Sequence, residues 1–281
     1  MAAGLHKLHE KTHARERAMD FEKISYALEN DIAVISFDDP DTMNAAGIDT
    51  VEELLLAFEK AGDEARCTIL TGKGRGFCSG ANLSGDVGGG SKPKGKPDAG
   101  KALDSHYNPL IQVMREHPHP VITAVNGAAA GVGCSIALMG DMVIAAESAY
   151  FLQAFRRIGL VPDGGSTWLL PRTIGRVRAM EMALLGEKLP AARALEWGMV
   201  NRVVSDDKLM SEARELAGAL SKGPTRALSI MRGLIWDGCE NDLETQLHAE
   251  RNAQRIAGRT SDFKEGVTAF LEKRAAEFTG K

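Results

Sequence analysis

Apolar residues recur along this chain in two rhythms. Ile24-Ser-Tyr-Ala-Leu28, a polar break at Glu29-Asn30-Asp31, and Ile32-Ala-Val-Ile-Ser-Phe37 alternate apolar with polar residues, which predicts a strand hairpin over Ile24 to Phe37. From Ile48 to Ala61 the spacing lengthens. Val51, Leu54, Leu55 and Phe58 fall on one face of a helix. Cys67–Thr71 is a short apolar run that suits a buried strand. Tyr107–Arg115 returns to helical spacing through Leu110, Ile111 and Met114, and Pro118 and Pro120 close it. Val121–Val125 and Met142–Ala146 read as further strands, with a helix beginning at Cys134–Met139 between them.

This order of strand, turn and helix predicts an α/β core with buried parallel strands, as though one layered unit were repeated. Beyond Gly186 the rhythm is helical throughout, over Ala191–Trp197, Asp207–Ser221, Thr225–Trp236, Leu243–Ala257 and Asp262–Ala276. The chain is therefore divided into residues 19–186, a layered core, and residues 187–281, a helical region expected to pack on that core or on a neighbouring subunit. Two stretches lack either rhythm. Residues 1–18 are polar and basic with three histidines. They read as a disordered extension, with Met19 as an alternative start. Ser84 to Gly100 is rich in Gly, Lys, Pro and Asp and reads as a mobile loop, either a surface insertion or a lid.

Composition narrows the function classes. A chain of 281 residues with 44% hydrophobic content can bury a large core. A formal net charge of −4 gives no reason to expect nucleic acid or an anionic membrane as partner. No apolar run reaches membrane-span length, and the N-terminus lacks the apolar segment of a secretory signal. The four cysteines, Cys67, Cys78, Cys134 and Cys239, are widely separated. They suit reduced thiols in a cytoplasm better than a disulfide framework or a zinc site.

Several motifs are incomplete. Gly131-Val-Gly133 runs on into Cys-Ser-Ile, so the third glycine of a dinucleotide loop is absent, and neither a P-loop nor a GxSxG elbow occurs. His117 and His119, split by Pro118, read as surface histidines before a strand rather than a metal site.

The carboxylate that stands out is Asp163, between Pro162 and the pair Gly164-Gly165. Proline fixes one φ and glycine admits values other residues avoid, so a short acid is held on a sharp corner. Ser166 and Thr167 offer hydroxyls to cap the helix that follows. The flanks are apolar, and an acid in apolar surroundings has a raised pKa, as a base working near neutrality needs. Two small-residue turns precede it. Phe77-Cys-Ser-Gly-Ala81-Asn-Leu and Ala130-Gly131-Val132-Gly133 each follow a strand. Each can present a free backbone N–H, and two such donors converging make an oxyanion hole for a carbonyl that becomes an enolate.

These segments, with Val125-Asn-Gly-Ala-Ala-Ala-Gly131 and Glu265-Gly-Val-Thr-Ala-Phe-Leu-Glu-Lys-Arg274, resemble the crotonase superfamily, also called the enoyl-CoA hydratase/isomerase family. The likeness runs from about Ile24 to Lys281. It implies a spiral of ββα units, a helical trimerisation region giving a trimer or a pair of trimers, and acyl-CoA thioester substrates. Coenzyme A then arrives as part of the substrate and no cofactor is held permanently.

The resemblance places the oxyanion amides at Ala81 and Val132. It puts the substrate against Met43, Ala45, Ser79, Ala81, Asn82, Leu83, Gly131, Val132, Phe155, Pro162 and Trp168. Phe155, Trp168 and Val132 are expected to make a dry acyl pocket. Phe270 and Lys273 fall where the family's last helix meets the nucleotide end of coenzyme A. The two glutamates by which hydratases hold water fall on Ser135 and Phe155, neither of which is an acid. An acid at the position of Asp163 looks like the isomerase and dehalogenase branches, and the run Phe151–Arg172 is similar to 1,2-epoxyphenylacetyl-CoA isomerases. The expected function is thus enoyl-CoA or ring-epoxide acyl-CoA isomerisation by one aspartate. An enoyl-CoA hydratase, an aspartate nucleophile and a non-catalytic acyl-CoA binder are the alternatives.

Overall fold

The computed structural model describes residues 21–82 and 98–281. The expectations for residues 1–18, Met19, Leu83 and residues 84–97 fall outside the described residues. The hairpin forms as read: β1 (Ile24–Glu29) and β2 (Ile32–Phe37) pair antiparallel. Asn30 and Asp31, both at positive φ, make the tight turn between them. Only β1 keeps an exposed side. All six residues of β2 are buried, because the next strands continue the sheet and helices cover both faces.

Those strands are β3 (Cys67–Gly72), reached through helix α1 (Ile48–Glu64), then β5 (Val121–Val125), β7 (Met142–Ala146) and β10 (Arg202–Val204). The sheet runs β1-β2-β3-β5-β7-β10 and is parallel after the first pair. A second sheet lies just beyond the ends of the first. Its strands β4 (Gly76–Cys78), β6 (Ala128–Ala130) and β8 (Tyr150–Leu152) each follow one strand of the large sheet by a few residues, and β9 (Leu189–Pro190) closes it. This is the repeated unit in physical form: strand, short strand in a second sheet, helix.

The helices of these units are α2 (Asn108–Arg115), α3 (Val132–Leu138), α4 (Ser166–Ile174) and α5 (Arg176–Leu185). All seven residues of α3 are buried, so it is the central helix. The polar pair His117 and His119 is also interior, at 3% and 1% exposure, which corrects the surface reading. Thr68 Oγ1 lies 3.3 and 2.9 Å from their Nε2 atoms. Burial pushes both imidazoles well below their ordinary pKa, to about 2 and about 4.

The core also extends past residue 186. α6 (Ala191–Glu196) leads to β10, and α7 (Leu209–Ser221) buries Leu209, Ala213 and Ala217 against the large sheet. The purely helical region begins at α8 (Thr225–Gly238) and continues through α9 (Leu243–Ala257) and α10 (Ser261–Glu272). Arg232 of α8 is buried. It donates to Asp141 Oδ2 at 2.6 Å and to the carbonyls of His117 and Met114. No helix among the described residues is long and apolar enough to cross a membrane.

Candidate active site

The site is built where the small sheet meets the N-terminus of α3. Asn44 ties the loop before α1 to the end of β3: its Nδ2 donates to the carbonyls of Lys73 and Gly76 at 2.9 and 2.7 Å. The Ser79 amide then donates to the Met43 carbonyl, the Ser79 hydroxyl to the Thr42 carbonyl, and Ala46 bridges to Ala81. Met43, Ala45, Ser79, Ala81 and Asn82 therefore form one wall.

In that bridge the Ala46 amide donates to Gly80 and the Asn82 amide to Ala46. The Ala81 amide between them takes no partner among the described residues. Val132 is the first residue of α3, and its amide is likewise an unpaired helix N-terminal donor. Gly131, at φ 54°, turns the chain from β6 into that helix. The two donor turns touch, since a β-carbon on Gly131 would lie 3.8 Å from Gly80 Cα.

Asp163 completes the site. Gly164 and Gly165 both have positive φ, as the corner requires. A β-carbon on Gly164 would sit 2.7 Å from Ser135 Cβ and 3.3 Å from Val132 Cγ2, so the corner rests on the first turn of α3. The Asp163 carboxyl is half-buried, and its Oδ1 has no hydrogen-bond partner among the described residues. Burial alone pushes the acid up to about 6, because a charge removed from water without a compensating donor is costly. The helix cap differs from expectation. Gly165 is the N-cap of α4 with no side-chain cap, and the Ser166 hydroxyl turns back to donate to the Asp163 carbonyl at 2.9 Å.

Phe155 is buried with its ring tip 3.9 Å from the β-carbon position of Gly131, and Pro162 borders the same corner. Trp168 is placed differently. Its ring stacks on Trp236 of α8 at 5.9 Å with Arg172 4.2 Å and Arg115 6.0 Å over it, so its described ring contacts are with α8 and two arginines rather than with Phe155. Phe270 and Lys273 stand at the far end of α10, Phe270 81% exposed and Lys273 as the left-handed C-cap. Phe270 lines an apolar groove of about 1080 Å³ between α8, α9 and α10.

Two further residues belong to the site: Tyr107, read in the sequence only as the start of a helix, and Ser135, read only as the place of a missing glutamate. Tyr107 is buried and donates to the Ala46 carbonyl at 2.7 Å. Burial raises its phenol to about 12, with the charges of Cys78, Asp163 and Asp49 adding to the rise. Ser135 donates to the Asp163 carbonyl at 2.9 Å. No group of three or more His, Cys, Asp or Glu suited to a metal occurs among the described residues.

Residues 27–281 match the family model described as enoyl-CoA hydratase/isomerase. The chain belongs to that family. Among its relatives, the 1,2-epoxyphenylacetyl-CoA isomerase of Escherichia coli is 45% identical over 90% of this chain and 97% of its own. A Rhodobacter capsulatus relative bearing the name "Probable enoyl-CoA hydratase" is 43% identical over 94% of this chain and 100% of its own. Among solved structures, an enoyl-CoA hydratase from Bacillus anthracis superposes with a TM-score of 0.84 at 30% identity, covering 92% of this chain and 100% of that one. The small sheet, the two donor turns and the buried α3 are thus how this member of the enoyl-CoA hydratase/isomerase family arranges its common fold.

Proposed function

We propose that this chain is an enoyl-CoA isomerase in which Asp163 carries a proton between two carbons of a thioester-activated chain. The ionised carboxylate takes a proton from the allylic carbon. The electron pair left behind spreads through the double bond to the thioester oxygen as a dienolate. The Ala81 and Val132 amides donate to that oxygen as its charge grows. Loss of one such donor typically costs about 2.7–4 kcal/mol of barrier. Asp163 then returns the proton to the other end of the dienolate, and the thioester carbonyl reforms with the double bond moved. Nothing is added or lost, so one carboxylate suffices for both steps. A ring epoxide beside the same enolate is a second substrate class for this machinery. Coenzyme A enters with the substrate.

The observation that supports this reading is the buried, partnerless Oδ1 of Asp163, on a corner packed against the helix that begins at Val132. A hydratase reading has the name of the Rhodobacter capsulatus relative in its favour. Against it, hydration needs a second group to hold water, and the positions from which hydratases do so carry Ser135 and Phe155. Coenzyme A esters assayed by ultraviolet absorbance and mass spectrometry test the choice. Parent protein should interconvert 3-enoyl and 2-enoyl esters, and Asp163→Asn should bind them but not turn them over. Near-parental turnover by Asp163→Asn would remove Asp163 from the mechanism. A covalent ester on Asp163 would favour a nucleophile, and binding without turnover a non-catalytic acyl-CoA carrier.

The proposal includes a homotrimer or a pair of trimers. Its support is the exposed apolar set Met231, Ile235, Leu247 and Phe270 on the last three helices, more than a monomer's surface ordinarily leaves uncovered. It also assigns the nucleotide end of coenzyme A to Phe270 and Lys273. Cys67, Cys78 and Cys134 are buried free thiols and Cys239 an exposed one, which supports a reducing, cytoplasmic setting.

A further inference from the structure

Asp163 does its proposed work with a carboxylate that has no donor on Oδ1, so something other than the carboxylate must hold it in place. Its backbone carbonyl is held instead. That oxygen accepts the Ser135 hydroxyl at 2.9 Å, the Ser166 hydroxyl at 2.9 Å and the Ser166 amide at 3.1 Å. Ser166 is three residues away on the same turn, so its two bonds to this oxygen shape the corner locally, while its hydroxyl also stands 3.5 Å from Gln153 Oε1. Ser135 belongs to a different element. It is fully buried in α3, one turn after Val132, whose amide is the proposed oxyanion donor. The Ser135 bond is the link between the element that would bind the thioester oxygen and the element that carries the acid.

Packing reinforces the link. The β-carbon position of Gly164 is 2.7 Å from Ser135 Cβ, so the corner peptide sits directly on this side chain. A longer residue at 135 would have to displace that peptide, and an alanine would leave the carbonyl with only its local bonds. An ångström of drift in a reacting group can cost orders of magnitude in rate.

We propose that Ser135 is a positioning residue, which sets the distance between the Asp163 carboxylate and the thioester carbonyl by hydrogen-bonding the Asp163 peptide. It touches neither substrate nor proton. The inference rests on Asp163 being the base.

The test compares Ser135→Ala and Ser135→Thr with parent in 3-enoyl-CoA isomerisation, with kcat and KM measured separately and a saturated acyl-CoA as a non-reacting ligand. Ser135→Ala should lower kcat at least tenfold while KM and the affinity for the saturated ester stay within about twofold. Ser135→Thr, which keeps the hydroxyl, should recover most of the loss. The acidic limb of the pH profile should move down for Ser135→Ala, as a looser corner lets water reach the carboxylate. Parental kcat in Ser135→Ala overturns the proposal, as does a Ser135→Thr no better than alanine. A rise in KM with kcat unchanged also overturns it. Should Ser135→Ala not fold, Ser135→Cys, close in shape but a weak donor, takes its place, and parental kcat in that variant counts against the proposal equally. Asp163→Asn run alongside separates the two ideas. If Asp163→Asn is inactive and Ser135→Ala is parental, only the positioning role fails. If Asp163→Asn is active, the base assignment itself has failed.

Discussion

The ring tip of Phe155 stands 3.9 Å from the β-carbon position of Gly131, at the turn that presents the Val132 amide. In the proposed isomerase, that ring stands where the family resemblance has a hydratase carry its second water-holding glutamate, and it offers water no polar partner.

Hydration of crotonyl-CoA is therefore expected to be slow or absent. Absorbance loss at the enoyl-thioester band measures it directly. A kcat above about 10³ s⁻¹, at the upper end of ordinary enzymes, would show that water is held by groups other than those at 135 and 155.

The pH dependence of isomerisation should carry the signature of a desolvated acid. A base must be ionised, so kcat/KM is expected to rise through about pH 6, where burial has pushed Asp163, and to level off above it. A limb in the ordinary carboxylate range, near about 4, would mean that Asp163 is hydrated in the free enzyme.

The same shift affects stability with a defined sign. A pKa raised in the folded state means that folding favours the protonated acid. The stability this group contributes is complete below its ordinary value of 3.8 and lost as pH rises through about 6. Asp163→Asn cannot ionise. At neutral pH it should be more stable than parent by about 1 kcal/mol, allowing for the partial solvent exposure of the side chain. The gap should close in acid. Urea midpoints at two pH values read this, and an Asn variant less stable at neutral pH would contradict it.

Lys273→Glu should raise KM for coenzyme A esters several-fold and leave kcat nearly unchanged, since a phosphate contact far from the reacting carbons is made alike in ground and transition states. Pantetheine thioesters, which lack the nucleotide, should show little difference between the two proteins. An equal loss with both substrates would mean that Lys273, the left-handed cap of α10, acts through the helix end.

Light scattering at micromolar concentration should give a mass of three or six chains. Replacing Ile235, 73% exposed on α8, with Glu should shift the distribution toward monomer. A monomeric parent would leave the groove between α8, α9 and α10 without its expected cover.

The amino-acid pattern reveals the long strands, the helices and the Asp163 corner, because each is specified by neighbours in sequence. The apolar run of β2, the helical spacing of α1 and the Pro-Asp-Gly-Gly corner all carry their signal within a dozen residues. The small sheet escapes such a reading. Its strands are two or three residues long, and no periodicity can be read in Ala128–Ala130. What defines them is pairing with partners far along the chain. His117 and His119 are buried for a similar reason: Arg232, more than a hundred residues away, closes over the His117 carbonyl. Ser135 was visible only as the absence of a glutamate. Its bond to the Asp163 carbonyl depends on how α3 and the corner meet, which no local pattern encodes.

Arg232 has one more consequence. By grasping Asp141 and the carbonyls of Met114 and His117 at once, it rivets α8 to the body of the molecule, and the stacked rings of Trp236 and Trp168 add a second fastening. The first of the three terminal helices is thus mechanically part of the catalytic body. The outer pair is moored to that body as well: Gln246 Nε2 of α9 donates to the Leu234 carbonyl of α8, and Arg66 Nη1 holds the Phe278 carbonyl of the tail that follows α10, so the helix that carries Phe270 and Lys273 is anchored on both sides.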